Sequence, residues 1–172
     1  MNVPRAMYPV LRLYGWFRKV ANSLQSPLLL LVRLYWGWQL IQTGWGKLHN
    51  LPRVTAYFAS LGIPFPAFTT HFVADVELLG GILLAIGLFS RFTGLVIAGD
   101  MVVAYWTGDH TAMLSVFSDP GTFYGAAPYT FLFAAVLVLI FGAGVFSLDF
   151  FIKRSIKLHT PGIPNDNSYT PA

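Results

Sequence analysis

Arg33, Asp75, Glu77 and Asp100 are ionisable residues that lie inside long apolar runs of the sequence. A charge in hydrocarbon costs several kcal/mol unless it is paired or reaches water. Each is therefore a candidate site residue. Counting along the chain decides which can meet. Arg33 lies ~7.5 Å from one end of its run, and Asp100 lies ~12 Å in from the same side of another, at ~1.5 Å per helical residue. An Arg33–Asp100 pair is expected. Glu77 enters from the opposite face, so it is expected to pair with Lys47, with His49 and His71 nearby. Asp75 and Glu77 point about 200° apart on a helix, so they do not share one narrow pocket, and Asp75 is expected to be hydrated. The competing reading is that these pairs only lock a bundle, or that Glu77 or Asp100 is a neutral acid.

The elements that hold these residues are apolar segments, roughly Leu28–Leu48, Phe72–Phe89, Phe92–Thr107 and Tyr129–Ser147. The first has enough residues to cross ~30 Å of hydrocarbon. The third is slightly short. It either ends at Thr107 or continues past Asp109 and His110 into Thr111–Phe117. The chain has 172 residues, 55% of them hydrophobic and 10% charged. That balance excludes an ordinary soluble domain, which is nearer ~25% charged. The net charge of +4 is too small and too widely spread for nucleic-acid binding. With no cysteine, the chain has no thiolate nucleophile, and no iron–sulfur cluster, haem or metal site is expected.

The expected fold is all-α, an integral membrane four-helix bundle with an N-terminal amphipathic interfacial helix. Residues 1–26 lack the unbroken apolar core of a signal peptide. Val10, Leu13, Tyr14, Phe17, Val20 and Leu24 recur at helical spacing opposite Arg12 and Lys19, the pattern of a basic surface helix. Pro27 allows a new start. Residues 27–152 make the bundle, with a short helix near Arg53–Leu61, and 153–172 form a polar tail. Lys and Arg cluster in the N-terminal segment, at Arg91 and in the C-terminal segment. The positive-inside rule then places both termini in the cytoplasm of an inner-membrane protein. The pairs Gly37/Gly44 and Gly80/Gly87, with Gly81 and Ala85, give the small faces that let helices approach closely in lipid. Trp36 and Trp38 fall near mid-membrane, where an indole either fills space or stacks on a flat ligand such as a quinone ring. The histidines lack metal-ligand spacing.

Several segments together resemble the DoxX family of small four-helix membrane proteins. They are Gly44-Trp-Gly-Lys47, Leu61-Gly-Ile-Pro, Glu77-Leu-Leu-Gly-Gly through Gly87-Leu-Phe-Ser-Arg91, Gly142-Ala-Gly144 and Ser147-Leu-Asp149. That family is similar to, and named with, the membrane subunit of a thiosulfate:quinone oxidoreductase. The resemblance implies a quinone-linked role for a membrane subunit of an oxidoreductase or electron-transfer assembly. Glu77 and Asp100 would then be the catalytic, proton-exchanging residues, and Arg33, Lys47, Trp36 and Arg91 the ligand-binding ones. Quinone would be the bound cofactor, and a redox partner subunit would supply electrons. Two other readings stand beside it: a non-catalytic assembly subunit, and a small-solute or proton pathway, which would require an oligomer.

Overall fold

Long apolar stretches with few helix breakers fold as helices, and their ends fall where proline and glycine dictate. The computed structural model describes residues 8–159. Among them the elements are α1 (Tyr8–His49), α2 (Leu51–Ser60), α3 (Pro66–Ile86), α4 (Ser90–Thr107), α5 (His110–Leu114), α6 (Pro120–Gly125), α7 (Pro128–Phe141) and α8 (Leu148–His159). Helix α1 packs most extensively on α3 and α4 on α7, α3 and α4 are joined by a tight turn, and α1 touches α7 far less than it touches α3. Leu40, Leu84, Ile97, Met101, Ala135 and Val138 meet in the apolar centre.

The expected break at Pro27 is absent: α1 runs unbroken for 42 residues with Pro27 inside it. The surface helix and the first span are thus one element. A proline removes one backbone hydrogen bond and favours a kink, but the leucines that follow carry the helix on. The fourth run is also corrected. Helix α7 stops at Phe141 instead of reaching Ser147, because Gly142 and Gly144 take positive φ, which favours glycine. Residues 142–147 form a loop that folds back over the bundle end. The third run takes the shorter of its two readings: α4 ends at Thr107, and α5 is a separate single turn. The limit at residue 153 falls inside α8. The segments 1–7 and 160–172 lie outside the described residues.

By length and apolarity α3 alone among the described helices qualifies as a membrane span, and α7 is apolar but only 14 residues long. Helix α3 begins at Pro66, a favoured first helical residue, and ends at Gly87 with φ +72°. The small-residue expectation holds for the α1–α3 contact. A Cβ on Gly44 would stand 2.5 Å from the Leu78 backbone nitrogen and 2.7 Å from the Ala74 carbonyl oxygen. Gly87, in contrast, is a left-handed helix cap and not part of a packing stripe.

Candidate functional site

The antiparallel register of α1 and α3 fixes where the charges fall. Gly44 faces Ala74 and Leu78, while Gly37 faces Gly81 and Ala85. Lys47 therefore sits opposite the first half of α3, and Arg33 lies level with its end. The two cations are 14 residues apart, ~21 Å along the helix axis, with Leu40 buried between them.

Lys47 and Glu77 form an ion pair, Nζ to Oε1 2.5 Å. The Glu77 side chain is 7% exposed and that of Lys47 26%. Glu77 lies mid-helix, not five residues from the surface, because α3 starts at Pro66, six residues before the expected Phe72. Its second oxygen, Oε2, is buried with no hydrogen-bond partner among the described residues. Asp100 on α4 lies at the level of Glu77, since Gly80 of α3 meets Ile97 of α4. Lys47 also lines an open recess of about 410 Å³ with Gln42, Thr43, Gly46, Asn50 and Arg53. Lys47 thus links the recess, which neither carboxylate lines, to Glu77 and the neighbouring Asp100 behind it. Such a group binds a polar, proton-accepting atom and holds a proton beside it.

The expected Arg33–Asp100 pair is not formed. Arg33 is fully buried and donates from Nη2 to the Phe146 carbonyl oxygen at 2.6 Å. It also makes a long contact from Nε to the Leu29 carbonyl oxygen. Its electrostatic partner is Asp149. The depth count failed mainly at Arg33: α1 runs on through Pro27, so Arg33 lies level with the end of α3, whereas Asp100, ten residues into α4, lies at the level of Glu77. The guanidinium fills the space that a Cβ on Gly87 would need. Asp149 in turn accepts hydrogen bonds from the Phe89 and Ser90 amides, both at 2.8 Å, and donates its own N–H to the Gly87 carbonyl oxygen. Burial alone would raise the Asp149 carboxyl, but the Ser90 and Phe89 amides, with Lys153 nearby, outweigh it and hold it below the usual carboxylate range. This end is a latch: Arg33 holds the 142–147 loop, and Asp149 caps the first turn of α4. The role of Asp149 was missed in the sequence reading, although Ser147-Leu-Asp149 stands out as a motif.

The remaining candidates are dispersed. Trp36 is half-buried against the core and meets Tyr35 edge-to-face. Trp38 and Asp75 are exposed. Arg91 is exposed on α4 and donates to the Ile140 carbonyl oxygen at 3.3 Å. His49 bonds the Trp45 carbonyl oxygen one turn back, and His71 is exposed. Among the described residues no three His, Cys, Asp or Glu side chains are grouped to hold a metal ion.

Residues 28–110, which contain both cations and all of α2 to α4, match the DoxX family model. This stretch is a DoxX domain. The DoxX match agrees with a membrane protein, for which α3 is the one described helix of spanning length. It is also 26% identical over 128 residues to "Putative oxidoreductase CatD" of Bacillus subtilis (strain 168), an overlap that covers 74% of this chain and 89% of that one. No solved structure matches it.

Proposed function

We propose that this DoxX protein is a membrane subunit of a quinone-linked oxidoreductase, working at the Lys47–Glu77–Asp100 cluster. In this reading α1, α3, α4 and α7 cross the inner membrane with both termini in the cytoplasm. The observation that carries the proposal is the buried Lys47–Glu77 pair beside an open recess, with Glu77 Oε2 left without a partner. The residues fit a quinone head group: Lys47 has N–H donors for a carbonyl oxygen, and Glu77 has a free oxygen to carry a proton. Bound quinone would supply two-electron chemistry. Lys47 would hold the carbonyl oxygen, and Glu77, with Asp100 behind it, would hold the proton needed there once electrons arrive from a partner. With no cysteine in the chain, electrons arrive from a partner redox subunit. The oxidoreductase name of the Bacillus relative agrees with such a role.

Gentle purification followed by lipid extraction tests this. Quinone and a redox subunit accompanying the wild-type protein support it; neither accompanying it removes the support. The assembly-subunit reading is favoured by one observation, that Arg33 holds the 142–147 loop through the Phe146 carbonyl oxygen. On that reading Glu77→Gln lowers the abundance of the complex while leaving turnover per complex unchanged. A solute path is disfavoured because Leu40, Leu84 and Ile97 form an apolar barrier between the two polar ends.

A further inference from the structure

The α1–α7 seam opens into a groove of about 550 Å³ at the root of the N-terminal arm, lined almost wholly by apolar side chains. Ala21, Leu24 and Leu28 from α1 face Leu137 and Phe141 from α7, with Gln25 as the polar member. The arm above the groove exposes Leu13, Phe17 and Leu24 together with Arg12, Arg18 and Lys19. No acidic residue occurs between Tyr8 and Val32. Helix α8 starts at the same end: its approach is tied to the arm where the Val145 amide donates to Ser26 Oγ. It exposes Phe151, Ile152 and Ile156 beside Lys153 and Arg154. Its one acid, Asp149, is engaged by the α4 amides. Arg91 reaches Ile140, next to Phe141 of the groove.

We infer that this end is a binding site for an anionic phospholipid, its acyl chain in the α1–α7 groove and its head group among the cations of the arm and α8. Charge complementarity selects the occupant: an apolar slot rimmed by cations fits a molecule with an apolar tail and a negative head. Basic segments at a bilayer surface attract anionic lipid additively, residue by residue. The site lies at the opposite end of the bundle from the Lys47–Glu77 pair, so it stands or falls independently of the redox reading.

The test uses the full chain in neutral detergent, offered equimolar phosphatidylglycerol and phosphatidylcholine, with retained lipid read by native mass spectrometry. Phosphatidylglycerol is expected to be retained at least ~5-fold over phosphatidylcholine, a preference cut roughly fivefold or more in Arg18→Gln/Lys19→Gln/Arg154→Gln. These three positions are exposed, so the variant is expected to fold. Ala21→Trp, which fills the groove, should lower retention of both lipids, with circular dichroism confirming the fold. Equal retention of the two lipids by the wild type, or an unchanged preference in the triple variant, would overturn the inference. So would an arm-to-arm crosslinked dimer that forms equally well in phosphatidylcholine alone, which would assign the face to a second copy.

Discussion

At the scale of single residues, the two buried cations look alike in sequence and differ in structure. Arg33 donates from Nη2 and, at longer range, from Nε to backbone carbonyls of its own chain, while its Nη1 is buried with no hydrogen-bond partner among the described residues. Lys47 meets a carboxylate and an opening. The consequences of mutation should differ accordingly. Lys47→Met leaves Glu77 as a buried charge without its partner and is expected to cost up to ~3 kcal/mol, at the low end for a buried pair because Lys47 is partly exposed. Lys47→Met/Glu77→Leu removes both charges and should recover most of that loss while abolishing quinone binding. Thermal melts followed by tryptophan fluorescence separate the two outcomes. Gly87→Ala should destabilise by more than ~1 kcal/mol, since its φ is positive and Arg33 occupies the space. The Lys47–Glu77 pair was legible because opposite charges entered from one face of neighbouring helices. The Arg33–Asp100 pair fails because α1 runs on through Pro27 and leaves Arg33 level with the end of α3, well away from Asp100.

At the scale of elements, the sequence read well where apolar periodicity was unbroken and poorly where proline and glycine had to be weighed. Pro27 on its own favours a helix boundary, yet it lies in a long leucine-rich stretch whose packing on α3 and α7 outlasts one missing hydrogen bond. Gly142 and Gly144, placed inside the fourth apolar run, instead terminate α7 with positive φ. The cap on α4 was not legible, because its donor amides and Asp149 are some 60 residues apart. Two outcomes test this level. Gly44→Ala forces a Cβ against the α3 backbone and is expected to cost ~1–3 kcal/mol by melting temperature. Asp149→Asn should cost ~1 kcal/mol, like the loss of a helix cap. Because the Asp149 carboxyl titrates below its ordinary range, its contribution is present above the unfolded value near ~4 and fades as pH falls through the lower folded value. The wild type should therefore lose stability on acidification more steeply than the variant.

At the scale of the whole molecule, the charges sort into three zones. A lysine–carboxylate cluster lies at one end, an apolar centre follows, and an arginine latch with a basic apron closes the other. Composition and periodicity were enough to reach an all-helical fold, and the Gly44–Lys47 and Glu77–Arg91 motifs carried the resemblance to DoxX. They were not enough to show that the buried charges serve two different ends, since that depends on register between helices. The central claim is that Lys47 and Glu77 form a quinone site. The most direct measurement is the quinone content of gently purified protein, wild type against Lys47→Met/Glu77→Leu, at matched fold by circular dichroism. Quinone close to one per wild-type copy and lost from the double variant is the expected result. Quinone absent from the wild type, or equal in both proteins, would contradict it.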